Sequence, residues 1–259
     1  KGNVSFVNYV EGIYVGYKFY ETAAEEGLID YESSVQYPFG YGLSYTTFDK
    51  TMTNFKDNGD TVSFDVEVTN TGDVAGKDVV EVYYTPPYTN GGIEKASVNL
   101  IQFEKTETLE PGKSQTLSFE IAKEDMASYD SDEIKVAGGG YILEAGEYTI
   151  SVRSDSHTVI AEETFTVDED IDYSTEGRST DKIAPVNVFE DYTQGDFIQL
   201  SRADGFKNAG ASWAAPTAED AQMSDELRAE VEANTFGIYD SSKYDNADDE
   251  MPTLGADNG

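Results

Sequence analysis

Val62-Ser63-Phe64-Asp65-Val66-Glu67-Val68 alternates apolar and polar residues without a break, so Val62, Phe64, Val66 and Val68 share one face of an extended chain. A strand with one apolar face buries it against a second layer. Gln115-Thr116-Leu117-Ser118-Phe119-Glu120-Ile121 alternates in the same way, and further strands are expected over 78–84, 98–103, 140–143, 148–152 and 158–167. Turn signals fall between them: Asn70-Thr71-Gly72-Asp73, Asn90-Gly91-Gly92, Leu109-Glu110-Pro111-Gly112 and Ala145-Gly146. Proline cannot donate to a ladder, so Pro86-Pro87 ends the second run. Short alternating strands with turns at this spacing are the pattern of an all-β sandwich, expected over 47–168, with 122–129 as one helical turn at a crossover.

The stretches on either side read differently. Residues 1–46 are rich in aromatics and glycine; residues 14–26 suggest a short helix ended by Gly27, but too few apolar residues surround it to close a core. Tyr37-Pro38-Phe39-Gly40-Tyr41-Gly42-Leu43-Ser44-Tyr45 allows two readings, a stacking platform for sugars or buried aromatics with tight glycine turns, and the second is favoured. Residues 169–259 are acidic and small, and read as an extended, partly helical linker with one helix over 219–234, Ser224 capping it ahead of Asp225 and Glu226.

Composition narrows the function. The 259 residues are 38% hydrophobic, enough for a core, and 51 acidic against 17 basic residues give a net charge of -34. A phosphate backbone or an anionic lipid surface is an unfavourable partner for that charge, so neither nucleic acid nor membrane is expected. There is no cysteine, which excludes disulfides, iron–sulfur ligation and thiol nucleophiles. No signal-peptide pattern and no membrane-length apolar run is seen; location stays open, with the cytoplasm favoured over secretion. Asn3-Val4-Ser5 matches a glycosylation acceptor by chance.

Motifs that could carry chemistry are sparse. The single histidine, His157, lies in Ser154-Asp155-Ser156-His157 between two expected strands; the residue types of a triad are present, but a hairpin tip makes no preorganised pocket, and a turn histidine is the preferred reading. Asp168-Glu169-Asp170-Ile171-Asp172 opens like a calcium loop, yet Tyr173 stands where glycine is needed. The glycines of Ala137-Gly138-Gly139-Gly140 are a loop without a following phosphate-binding helix. Among 51 acids, no pair of carboxylates can be chosen for glycoside chemistry on spacing alone. Tyr83, Tyr84 and Tyr88 are the stacking groups that a carbohydrate-binding sandwich would use, but strand tyrosines more often pack or face a neighbouring domain, and that reading is preferred. No catalytic residue, metal ligand or cofactor is assigned, and substrate-binding residues stay unknown.

Three stretches, in order, resemble glycoside hydrolase family 3, the β-glucosidase and β-xylosidase family. Tyr9-Val10-Glu11-Gly12-Ile13-Tyr14-Val15-Gly16-Tyr17-Lys18-Phe19-Tyr20 resembles the end of that family's α/β sandwich domain. Tyr37 to Phe48 resembles its entry into an immunoglobulin-like (fibronectin type III-like) β-sandwich, and Val66-Glu67-Val68-Thr69-Asn70-Thr71-Gly72 through Glu81-Val82-Tyr83 resembles the first strands of that sandwich. The resemblance implies a partial α/β N-terminal flank over 1–46, the sandwich over 47–168 and a linker over 169–259 leading towards a barrel. It implies a retaining parent enzyme acting on terminal non-reducing β-glycosides, with a barrel aspartate as nucleophile and an α/β-domain glutamate as acid and base. Neither motif lies in this chain, so its expected partners are the parent's α/β and barrel domains, with substrate reached through them. Ser201-Arg202-Ala203-Asp204-Gly205-Phe206 and Met251 to Gly259 resemble the linker of members with inverted domain order. A carbohydrate-binding or cell-surface interaction module is the alternative.

Overall fold

The computed structural model describes residues 12–187, 199–207 and 209, together with 225, 228 and 229. The chain divides into two units, 9–213 and a second comprising 1–8 with 214–259. Of the helix expected over 219–234, residues 225, 228 and 229 are described, and they are helical. The glycosylation-type triplet at Asn3, the resemblance around Met251 and most of 219–234 lie outside the described residues.

The first unit is built on antiparallel strands. β1 (Phe48–Asp57), β2 (Thr61–Asn70) and β5 (Ser114–Ala122) form one sheet, in the order β1-β2-β5. β3 (Val79–Thr85), β4 (Asn99–Lys105), β8 (Gly146–Arg153) and β9 (Val159–Val167) form the opposing sheet, in the order β4-β3-β8-β9. The expected all-β sandwich is therefore the observed fold. Alternation in β2 and β5 does what the sequence implies: Val66 stands opposite Leu117 and Phe64 opposite Phe119, whose rings stack at 5.3 Å. Val80, Val82, Tyr148, Ile150, Val152 and Phe165 close on them from the other sheet. Pro86 follows the last residue of β3, as a residue without an N–H should.

Four elements differ from expectation, β1, a 3₁₀ turn, β6 (Ser128–Asp130) and β10 (Ile171–Asp172). β1 was not anticipated from its polar sequence. The single helical turn expected over 122–129 is a shorter 3₁₀ turn, Lys123–Met126, followed at once by β6 (Ser128–Asp130). β6 pairs with β7 (Gly140–Leu143), and β10 (Ile171–Asp172) joins it in the order β10-β7-β6. The buried Asp130 carboxylate accepts the N–H groups of Ile134, Lys135 and Val136 at 2.7–3.0 Å, which folds the intervening loop.

The N-terminal helix, α1 (Tyr17–Glu25), starts later than the expected residue 14, because Gly16 at φ +61° and ψ −131° is not helical. It ends as anticipated: Gly27 at φ +70° is left-handed, and the N–H groups of Gly27 and Leu28 close back on the Ala24 and Ala23 carbonyls. A second helical turn, α2 (Tyr31–Ser34), follows.

Candidate functional site

The closest assembly of chemically competent side chains lies where α1 meets the β8–β9 hairpin tip. Asp155 shapes the tip, its Oδ1 accepting the N–H groups of His157 at 3.0 Å and Thr158 at 2.8 Å. Ser156 donates its N–H to the Phe39 carbonyl at 2.7 Å. This presents both side chains to Glu21, which is buried in the middle of α1. Glu21 Oε1 accepts the Tyr31 hydroxyl at 2.6 Å and the Ser156 hydroxyl at 2.7 Å, and Oε2 accepts His157 Nδ1 at 2.9 Å. The imidazole lies flat on the Tyr31 ring, centroids 3.6 Å apart. Buried Arg153 completes the cluster, donating through Nε to Ser151 Oγ at 2.8 Å and through Nη1 to the Ser156 carbonyl at 2.7 Å. Burial lowers the Arg153 pKa, and burial together with the bond to Glu21 raises that of Tyr31.

In this arrangement Ser156 Oγ is bonded to Glu21 and not to the imidazole. Nucleophile, base and orienter are not in series, so Ser156, His157 and Asp155 do not make a triad. Three donors instead converge on one carboxylate, which fastens the helix to the hairpin tip. His157 is a turn histidine, as preferred from sequence, with an unforeseen partner in Glu21. Nothing in the spacing marks Glu21; only the fold brings it 136 positions along the chain to His157.

A second cluster ties residues 200–206 to α1. Glu94 accepts the Tyr14 hydroxyl, the Ser201 hydroxyl at 2.5 Å and the Arg202 N–H at 3.0 Å. Arg202 donates through Nε to Glu26 at 2.5 Å and through Nη1 to the Lys95 carbonyl at 3.2 Å, and its guanidinium sits 4.1 Å from the centre of the Tyr88 ring. Phe206 packs its edge on Tyr14 and Phe19.

The tyrosines that a sugar-binding sandwich would use are not open faces; they pack, as the preferred reading has it. Tyr83 is fully buried, donates to Glu81 at 2.6 Å, and has its pKa raised chiefly by burial. Tyr84 packs against the core, and burial pushes its hydroxyl up to about 12. Tyr88 is covered by Arg202. The run at 37–45 does need correction: Tyr37, Phe39, Tyr41, Leu43 and Tyr45, expected to be buried, are all exposed. Among the described residues Tyr17 of α1 stacks on Phe39 at 4.6 Å and Tyr37 lies 5.3 Å from Tyr41, contacts that still leave each of the five side chains exposed.

Among the described residues no group of three or more acidic or histidine side chains is placed to hold a metal ion. Asp170, from the stretch that opens like a calcium loop, accepts Lys135 Nζ at 2.7 Å and the Ala145 N–H at 2.7 Å.

A profile of the fibronectin type III-like domain matches residues 78–156. The chain is 38% identical over 166 residues to a β-glucosidase of Kluyveromyces marxianus, covering 64% of this chain and 18% of that protein. Its fold superposes on the structure of β-glucosidase 3B from Thermotoga neapolitana in complex with α-D-glucose, with a TM-score of 0.52 and 37% identity, over 62% of this chain and 20% of that one. It also superposes on a GH3 β-glucosidase of Bifidobacterium adolescentis, with a TM-score of 0.51 and 27% identity, over 71% of this chain and 24% of that one. The chain thus spans less than a quarter of the length of these proteins. In sequence and in fold the chain is similar to the fibronectin type III-like portion of glycoside hydrolase family 3 β-glucosidases, and the likeness supports a fragment of such a protein.

Proposed function

We propose that this chain is the structural, non-catalytic portion of a family 3 enzyme that hydrolyses terminal non-reducing β-glycosides with retention. The observation that carries the reading is the use made of the most chemically competent cluster: the Glu21 carboxylate is occupied by Tyr31, Ser156 and His157. A general acid or base needs a free approach to the reacting oxygen, and Glu21 is buried beneath its three donors. In the longer enzyme a barrel aspartate and an α/β-domain glutamate would act on the sugar, with this sandwich holding the two domains in relation. The proposed layout is the end of an α/β domain over 1–46, the sandwich over 47–168 and a linker over 169–259 towards the barrel, in the inverted domain order.

Hydrolysis of an aryl β-glucoside tests the proposal, measured for the 259-residue chain alone and for the full-length protein. Turnover by the full-length protein and none by the chain is expected. Robust turnover by the chain alone would overturn the reading.

A further inference from the structure

Asparagine is followed by glycine at three places in the sequence, 58–59, 90–91 and 258–259, the last outside the described residues. An asparagine in this setting can react with its own backbone, because the glycine carries no Cβ to hinder the approach of its nitrogen to the side-chain amide carbon. Whether it does so in a folded chain depends on how firmly the nitrogen, the side chain and the turn between them are held. The two described pairs differ in all three respects.

Asn58-Gly59, in the connection between β1 and β2, is held on every side. The Gly59 N–H donates to Asp57 Oδ1 at 3.0 Å, and a carboxylate facing that N–H opposes its ionisation, the step that makes the nitrogen a nucleophile. The Asn58 side chain donates through Nδ2 to Ser63 Oγ at 2.9 Å. Its backbone N–H donates to the Thr61 carbonyl at 2.9 Å.

Asn90-Gly91 lacks these restraints. Both residues are exposed, and among the described residues no hydrogen bond holds the Asn90 side chain. The Gly91 N–H lies towards the Tyr88 hydroxyl, a neutral group left without a hydrogen bond of good geometry. One bond closes the turn, from the Gly92 N–H to the Thr89 carbonyl at 2.8 Å, and Gly91, at φ +80°, has open space where a side chain would stand. Opening that single bond frees the Asn90 backbone to bring its amide carbon over the Gly91 nitrogen.

We propose that Asn90 is a site of spontaneous self-modification, at which the Gly91 nitrogen closes a cyclic succinimide on the Asn90 side chain. The bond formed joins the Gly91 nitrogen to Asn90 Cγ. The bond broken is Cγ–Nδ2, and the amide nitrogen leaves as ammonia after taking up the proton that the Gly91 nitrogen gives up. Water then adds to one or other carbonyl of the ring and opens it, to aspartate or to isoaspartate. The isoaspartate route lengthens the backbone by a methylene between two fixed points, Tyr88 beneath the Arg202 guanidinium and Ile93 buried with Val136 and Ile142.

Peptide mapping by mass spectrometry tests the proposal, on the 259-residue chain held at mildly alkaline pH. An endoprotease that cuts at aspartate but not at isoaspartate separates the two products. In the folded chain the Asn90 peptide is expected to convert severalfold faster than the Asn58 peptide, and the gap should close in guanidinium chloride, where no fold distinguishes the two turns. Asp57→Ala should speed the conversion of Asn58 and leave that of Asn90 as it was. Equal rates in the folded chain, or a faster Asn58, would overturn the proposal. So would a gap that persists in guanidinium chloride, which would place its cause in the neighbouring residues and not in the fold, or an Asn58 that stays slow in the Asp57 variant.

Discussion

Glu21 on α1 and His157 at the β8–β9 tip meet at 2.9 Å, and the same carboxylate takes hydroxyl bonds from Tyr31 and Ser156. α1, α2 and the sandwich thus share one acceptor, so its removal strands three donors together. Glu21→Ala is expected to destabilise the chain by about 1–3 kcal/mol, the range for leaving buried polar partners unsatisfied. Amide hydrogen exchange should speed up across α1 while the β2 and β5 amides stay protected. Equal exchange of α1 in variant and parent would show that the cluster is decorative. A cycle with His157→Ala separates the imidazole's share, because the two changes should be non-additive.

Gly40 sits at φ +87°, and a Cβ built on it would overlap the Glu81 carboxylate. Gly40→Ala therefore meets a backbone penalty of about 1–2 kcal/mol for a left-handed L-residue and a collision besides. Glu81 has little freedom to withdraw, since it accepts the Tyr83 hydroxyl at 2.6 Å. A lowered thermal midpoint is expected, and Gly42→Ala, at a position with open space around it, is the control that should change little.

Arg202 reaches Glu26, the Lys95 carbonyl and the Tyr88 ring from a segment more than a hundred residues distant from the last two. Arg202→Met keeps much of the stem and removes the donors, at an expected loss of about 1.5–3 kcal/mol for bonds to charged groups. The loss should be local, so limited proteolysis near 200–206 should accelerate before the sandwich itself unfolds. Unchanged cleavage would mean that Tyr14, Phe19 and Phe206 hold the segment without Arg202.

How far the sequence speaks for this fold depends on whether a residue's role is local. β2 and β5 are legible because each buries one unbroken face, Val62 to Val68 and Leu117 to Ile121. β1 is not, because a register shift between Thr53 and Lys56, with Asn54 at φ +58°, puts Met52 and Phe55 against the core three positions apart. That spacing breaks the period of two on which strand reading rests. β6 is three residues of ordinary polarity, recognisable only by its pairing with β7. Glu21 is one acid among 51, and its selection needs a histidine from the far end of the sandwich. The 37–45 stretch misleads for a different reason: its aromatics read as core, and among the described residues Tyr17 stacks on Phe39 but leaves all five apolar side chains exposed.

Acid should reveal the Lys135–Asp170 pair. Lys135 Nζ and the Ala145 N–H hold the Asp170 carboxyl below the usual carboxylate range. A folded-state pKa depressed below the unfolded value of about 3.9 gives stability that is present above that value and is lost as pH falls through the folded one. Asp170→Asn removes the charge at every pH, so the variant should be less stable than the parent near neutrality. The gap should close as the parent's own carboxyl protonates below about pH 4. The site is partly exposed, so salt should narrow the neutral-pH gap as well. Denaturant midpoints for both proteins across pH 3–7 check this, with the acid end read against the protonation of the other carboxylates common to both. A gap that is constant with pH would mean that the Asp170 charge contributes nothing and that its bond to the Ala145 N–H, which an asparagine oxygen can keep, is what matters.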